Sequence, residues 1–284
     1  MNTILVPTDF SAHANNALDL AVQIARKSGA KILVINVIEG LRDFSFNTMG
    51  EAESDAGEEV FIVRKLIDQV KLRLSEIVNN EGYADVSIES AVEMGNAFES
   101  ISKVIADHDA DLLVMGTKGT SGLEEVLIGS NTEKVVRYAK CPVITVKEKV
   151  SLDQIKNIVF ASNLQDEQTE LVAKLKVIQD ITGATLHLVK VNTPNHFSTQ
   201  RQMMKEFSNF IDKHGLNNAS TSIYNEATEE DGILYFAEDL GACMIAMGTH
   251  GRTGILHLLS GSIAEDLVNH AQVPVWTLSQ KHRK

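Results

Sequence analysis

The stretch Met115-Gly116-Thr117-Lys118-Gly119-Thr120-Ser121-Gly122-Leu123 returns as Met247-Gly248-Thr249-His250-Gly251-Arg252-Thr253-Gly254-Ile255, every residue 132 positions after its counterpart. Gly129-Ser130 returns as Gly261-Ser262 and Cys141-Pro142-Val143 as Val273-Pro274-Val275 at the same separation. A fixed-period match of this kind marks a duplicated structural unit and has to be read before any single motif. The beginnings of the two halves match too, at a separation of 154: Ile4-Leu5-Val6-Pro7-Thr8-Asp9-Phe10 aligns with Ile158-Val159-Phe160-Ala161-Ser162-Asn163-Leu164, Gly29-Ala30 with Gly183-Ala184, and Val37 with Val191. The first half therefore carries a net excess of 22 residues between about Gly40 and Gly116. The acidic, turn-rich stretch 41–59 is expected to hold much of it as a mobile loop, with a helix resuming near Val60.

Outward from the repeat, the strands and helices alternate. Thr3–Pro7 is an unbroken apolar run, as expected of a strand buried on both faces. Residues 11–27 carry apolar side chains at helical spacing (Ala17, Leu18, Ala21, Ile24, Ala25) and end near Gly29. Strand Lys31–Ile38 follows, then a long helix with Phe61, Ile62, Leu66, Val70, Leu74 and Ile77 as its expected apolar stripe. Strand 86–92, helix 98–109, strand 111–115, helix 131–139 and strand 142–147 complete the first copy. Such alternation predicts an α/β fold: two tandem doubly wound domains, 1–147 and 156–280 with a short polar linker 148–156, each a mainly five-stranded parallel sheet flanked by helices. Ligands of such sheets lie at the carboxyl ends of the strands near the switch in strand order, where Pro7–Asp9, Val37 and 115–119 emerge.

Length and composition agree. The 284 residues suit two domains, on a prior of roughly 100–200 residues each. Hydrophobic residues at 44% and charged residues at 23% are those of a globular protein. The net charge of −12, from 38 acidic against 26 basic residues, argues against nucleic acid and anionic membrane surfaces as partners. No basic n-region with an apolar stretch opens the chain, and the longest apolar runs are strand-sized. Cys141 and Cys243 sit in separate halves without metal-ligand spacing and are expected as buried free thiols. These features together point to a cytoplasmic protein.

The chemistry lies in Gly116-x2-Gly119-x9-Gly129-Ser130 and its copy Gly248-x2-Gly251-x9-Gly261-Ser262. Gly116 would end a strand where a bulky ligand lies close to backbone, and Gly119 allows a tight approach or a positive φ. Gly129-Ser130 would open a helix whose free amides and positive dipole end suit phosphate oxygens, with Ser130 and Thr132 adding hydroxyls. One glycine-rich loop could be a surface turn before a capped helix; two with the same spacing make a site the better reading.

With these motifs, the opening I-L-V-P-T-D-F-S and the closing C-P-V strand, the chain resembles a tandem member of the universal stress protein family over essentially its whole length. The resemblance implies an adenine nucleotide alpha hydrolase-like fold. It also implies an intramolecular pseudo-dimer, with Val143–Val146 beside 275–278, that could itself form a further homodimer. It implies binding of ATP or AMP in a stress-response sensor or regulator; Mg2+ could ride with a triphosphate, as in nucleotide sites generally, since the sequence shows no dedicated protein cage. Transferred residue by residue, Pro7 and Asp9 would flank the nucleoside, and the Val37 backbone would meet the adenine edge. Met115 and Gly116 would lie against ribose and base, and Gly119, Gly129, Ser130, Asn131 and Thr132 would surround the phosphates. In the second half Val191, Met247, Gly248, Gly251, Gly261 and Ser262 match, while Asn163 replaces Asp9, Ala161 replaces Pro7 and Ala264 replaces Thr132. The stronger site is therefore expected in the first domain.

Several side readings stand beside this one. Asp9, ahead of a helix, could simply cap it. Lys118 and Arg252 are expected as solvated loop cations, and His250 and His257 fit no metal pattern. A slow ATPase or phosphotransferase finds little support: there is no G-x4-G-K-[ST] or S-G-G-x-D-S loop and no compact Ser-His-Asp or paired-carboxylate arrangement. A protein-binding scaffold in which nucleotide matters little is the other alternative, favoured by the divergent second half and the acidic 41–59 stretch.

Overall fold

The computed structural model describes residues 1–39, 57–117, 128–164, 168–250 and 262–280. The first half runs β1 (Thr3–Pro7), α1 (Ala12–Ser28), β2 (Lys31–Ile38), α2 (Gly57–Val78), β3 (Ile88–Met94), α3 (Ala97–Asp107), β4 (Leu112–Gly116), α4 (Ser130–Tyr138) and β5 (Val143–Val146). The second half repeats the order as β6 (Asn157–Ala161), α5 (Thr169–Thr182), β7 (Thr185–Asn192), α6 (Gln200–His214), β8 (Ala219–Asn225), α7 (Glu229–Leu240), β9 (Met244–His250), α8 (Ser262–His270) and β10 (Val275–Gln280).

Within each half the strands pair in parallel, in the orders β3-β2-β1-β4-β5 and β8-β7-β6-β9-β10. The two sheets join at their last strands. β10 pairs antiparallel with β5, Val275 opposite Thr145 and Trp276 opposite Ile144, so ten strands form one continuous sheet. Side chains that alternate along each strand feed two cores. Ile4, Val6, Val34, Val114 and Ile144 face α1, α2, α5 and α6, while Leu5, Leu33, Ile35, Leu113 and Val143 face α3, α4, α7 and α8. Both cores continue across the seam, since each includes strands of both halves.

The local signals act where expected. Gly29 closes α1 in the left-handed region at φ 72°, and Gly183, its repeat, closes α5 at φ 67°; only glycine takes that conformation without strain. Two expectations need correcting. The buried stripe of α2 is Val63, Ile67, Val70, Leu74 and Ile77, spaced four and three residues apart, whereas Phe61, Ile62 and Leu66 are exposed. The shift is a rotation of the helix: period 3.6 admits either set at its N-terminal end, and contact with the sheet picks one. The third strand starts at Ile88 rather than 86, because the Val86 amide is used in a turn to the Tyr83 carbonyl. The stretch expected as a loop, 41–59, lies outside the described residues up to Gly57, where α2 begins.

Candidate nucleotide site

The switch in strand order falls between β1 and β4, so their carboxyl ends open onto one edge with β2 alongside. Four consecutive residues shape the exit from β1. The Thr8 amide donates to the Ile35 carbonyl at 2.8 Å, continuing the ladder by one step, and buried Asn36 donates from Nδ2 to the Thr8 carbonyl at 2.8 Å. Thr8 Oγ1 accepts the Phe10 amide at 2.9 Å, and Asp9 Oδ1 accepts the Ser11 amide at 3.0 Å. Phe10 sits at φ 64°, an uncommon place for a bulky residue. That turn delivers Ser11, not Asp9, to the cap of α1, where Ser11 Oγ accepts the Ala14 amide at 3.2 Å. Asp9 is thus half-buried at the sheet edge, and the capping role belongs to its neighbour.

Gly116, at the end of β4, has the first turn of α1 packed against its Cα. A Cβ there would lie 2.7 Å from the His13 carbonyl carbon and 2.9 Å from the Ala14 nitrogen. The first turn of α1 occupies the space that a side chain would need. Beyond it the Gly129 amide donates to the Thr117 carbonyl at 2.9 Å, and buried Thr132 donates from Oγ1 to the Gly116 carbonyl at 3.2 Å. These two bonds bring the start of α4 to the same edge as Asp9. The N-cap of α4 is Gly129, which has no side chain to bond the first-turn amides. A Cβ at Gly129, which has an ordinary φ of −63°, would meet the Thr117 carbonyl oxygen at 3.8 Å and Thr132 Oγ1 at 3.9 Å, ordinary contact distances, so neither backbone strain nor crowding demands glycine at this N-cap. Ser130 is exposed and Asn131 half-buried there. Met115 is 6% exposed and packs into the core with its side chain, and Val37, near the end of β2, packs partly against the same core. Pro7 ends β1, opposite Ile35. Gly119 and Lys118 lie outside the described residues.

The second half repeats the frame and fills it. Ser162 Oγ accepts the Leu164 amide at 2.9 Å, and Leu164 repeats the left-handed turn at φ 59°. Here, however, helix α5 begins only at Thr169, and Gln168 folds back over the edge. Its Nε2 donates to Asn163 Oδ1 at 2.7 Å and its Oε1 accepts from Ser162 Oγ at 2.6 Å. At 6% exposure the amide is enclosed and engages the group that replaces Asp9. Ala161 ends β6 opposite Met247, itself 8% exposed and part of the core. Val191 is pressed by Gly232 of α7, where a Cβ would come within 2.5 Å of its Cγ1. Ala264, buried where Thr132 stands in the first half, has no hydroxyl to offer the Gly248 carbonyl. Gly251, Gly261, Arg252 and His257 lie outside the described residues, as do the side chains of His250 and Ser262. Nothing in the spacing of Gln168 marked it; the signal available was a glutamine where the first half has Ala14. Gln168→Leu keeps the volume and removes both bonds. It is expected to lower stability by about 1–3 kcal/mol, the cost of leaving buried polar partners unpaired. Urea denaturation measures this, and an unchanged midpoint would show that the amide is idle.

One constellation escaped the sequence reading. Ser220, His187 and Asn157 lie in a row across β8, β7 and β6, with Ser220 Oγ to His187 Nδ1 at 2.7 Å and His187 Nε2 to Asn157 Oδ1 at 3.0 Å. Burial lowers the imidazole pKa below its ordinary value. Since Asn157 Oδ1 only accepts, Nε2 carries the proton and Ser220 donates to Nδ1. An amide in third place carries no charge to stabilise an imidazolium, so the row is a cross-strand lock rather than a charged catalytic triad. It lies near the start of the strands, at the opposite edge from the glycine loop. Cys141 is buried, and burial pushes its thiol up to about 12, whereas Cys243 is half-buried. No cluster of three or more acidic, histidine or cysteine side chains fit to hold a metal occurs among the described residues. Nor is any described helix long and apolar enough to cross a membrane.

Two five-stranded parallel sheets joined at their last strands, with helices on both faces, define a tandem α/β protein. The model of the universal stress protein family matches residues 1–147 and again 154–279, and the chain belongs to that family as a tandem two-domain member. A protein named as a universal stress protein in Staphylococcus saprophyticus is 32% identical over 146 residues, 51% of this chain and 83% of the relative. A universal stress protein from Archaeoglobus fulgidus superposes over 99% of both chains with a TM-score of 0.75 at 20% identity. A functionally unknown protein from Pseudomonas aeruginosa covers 98% of this chain and 92% of its own with a TM-score of 0.65 at 17% identity. These two likenesses concern the fold.

Proposed function

We propose that this protein binds an adenine nucleotide, ATP or AMP, in its first repeat and serves as a nucleotide-responsive regulator in the stress response. The observation that carries this reading is the start of α4, whose N-cap Gly129 supplies no side-chain bond and which the Gly129–Thr117 and Thr132–Gly116 bonds hold at the same edge as Asp9. Anionic oxygens suit such a helix start, because its amides and dipole end are directed at them. In this reading Pro7, Asp9 and Val37 frame the nucleoside, and Gly116, Gly119, Gly129, Ser130, Asn131 and Thr132 surround ribose and phosphates. Mg2+ would accompany a triphosphate. The domains span 1–147 and 156–280 and act as an internal pseudo-dimer, with the second site weakened by Asn163 and Gln168.

Isothermal titration with ATP, ADP and AMP is expected to give close to one site per chain, and absence of heat with all three at near-millimolar ligand sinks the reading. Asp9→Ala is expected to weaken binding by about 1–3 kcal/mol if the carboxylate accepts a hydrogen bond from the nucleoside. The same substitution keeps the Ser11 Oγ bond to the Ala14 amide but removes the Asp9 bond to the Ser11 amide, so a fall in Tm with affinity unchanged would point to a merely structural Asp9. Mass spectrometry of nucleotide released on denaturation would identify the species that co-purifies.

A further inference from the structure

We propose that the second repeat completes the first repeat's nucleotide site, with Asn269 as the positioning residue. Asn269 lies near the end of α8, 141 residues from Ile128, and its Oδ1 accepts the Ile128 amide at 2.7 Å. Ile128 immediately precedes Gly129, so this bond anchors the chain where it enters α4. The carbonyl of Asn269 accepts from Lys147 Nζ. The carbonyl of Lys147 is in turn bonded at 2.9 Å by His13 Nδ1 and by Asn16 Nδ2, both on α1. His13 is the residue whose backbone abuts Gly116. One residue of the second repeat therefore ties together both walls of the first site, the α4 entry directly and the α1 start through Lys147. A third strut runs nearby: buried Thr249 of β9 donates from Oγ1 to the Val136 carbonyl of α4 at 3.3 Å.

The duplication makes the asymmetry legible. Residue 137 is the counterpart of 269 at the separation of 132, and it is arginine. Arg137 turns to Glu265 of α8, 3.6 Å away, so the equivalent position is spent on a seam ion pair. The first copy keeps the site with Asp9 and Thr132, and the second supplies the clamp. Holding the α4 entry in place before ligand arrives lowers the ordering cost of binding and raises affinity.

This inference rests on the nucleotide reading above, and its test separates the two. In the full-length chain, titration of ATP and AMP is compared for wild type, Asn269→Leu, Asn269→Asp and Arg137→Gln, with hydrogen exchange at the Ile128 amide measured in each without nucleotide. Asn269→Leu is expected to weaken binding about ten-fold, the scale of one lost buried hydrogen bond, and to speed exchange at Ile128. Asn269→Asp keeps an acceptor in place and is expected to stay within about two-fold of wild type. Arg137→Gln loosens the seam without touching Ile128 and is expected to leave affinity unchanged. Should Asn269→Leu fail to fold, Asn269→Ser, too short to reach Ile128, takes its place. Wild-type affinity in Asn269→Leu, or a loss that Asn269→Asp does not restore, overturns the proposal. If wild type binds neither nucleotide, the functional reading falls instead, while exchange at Ile128 still reports the clamp.

Discussion

Trp276→Ala is expected to lower stability by about 3–5 kcal/mol, the range for truncating a fully buried large aromatic side chain. Trp276 is 0% exposed and lies on β10 at the seam, opposite Ile144 of β5 and beside Ala246 of β9. Its indole Nε1 has no hydrogen-bond partner among the described residues, so truncation there removes packing. A cavity of about 70 Å³, lined among others by Met1, Leu112, Pro142, Ile178 and Trp276, already adjoins it. Removing the ring enlarges that space, because neighbours on two hydrogen-bonded strands cannot collapse into it. Circular dichroism should show Tm falling by roughly ten degrees, using the scaling for domains of this size. Trp276→Phe should cost markedly less, since no hydrogen bond is lost with the indole N–H. Equal losses for the two variants would mean that the N–H has an unrecognised role. A change of under one degree for Trp276→Ala would mean that the seam is not closed as described.

Gly116→Ala is the second. It is expected to destabilise the protein by about 1–3 kcal/mol, the usual cost of overpacking. The obstacles are backbone: the His13 carbonyl carbon at 2.7 Å and the Ala14 nitrogen at 2.9 Å from the new Cβ. Relief would require α1 to back away from β4, and α1 is anchored by Leu18, Leu20, Ala21 and Ile24 in the core. Gly248→Ala, the same substitution in the other copy, is expected to cost much less. Its Cβ would meet the ends of flexible side chains, Leu171 Cδ1 at 2.6 Å and the Gln280 amide carbon at 3.1 Å, which can turn aside. Denaturation of the two variants side by side settles what the repeated glycine is for. If Gly248→Ala proves as costly as Gly116→Ala, helix contact is not what demands glycine at the end of β4.

Much of this was readable in the chain. The bounds Thr3–Pro7 and Lys31–Ile38 were read without error, because a parallel strand covered on both faces shows as an uninterrupted apolar run. The stop at Gly29 was readable because a left-handed residue after a helix has a chemical signature of its own. The stripe of α2 was misplaced because Phe61 and Ile62 are as apolar as Val63 and Ile67, and only contact with the sheet distinguishes them. The cap of α1 was ambiguous because Asp9 and Ser11 are both good caps. The turn at Phe10 chose between them, and a positive φ on phenylalanine leaves no mark in composition.

Taken alone, the amino-acid sequence determined the duplication, the tandem α/β class, the carboxyl edge as the place to look, and the loss of Asp9 and Thr132 from the second copy. All of these follow from local periodicity, turn chemistry and residue identity at a fixed separation. The tertiary structure alone decided which groups answer one another: the α1 backbone against Gly116, Gln168 over Asn163, Asn269 under Ile128, and Trp276 closing the seam. The reason is that a hydrogen bond or a packing contact is chosen by proximity in space. A glutamine or an asparagine carries the same donors and acceptors wherever the fold happens to place it.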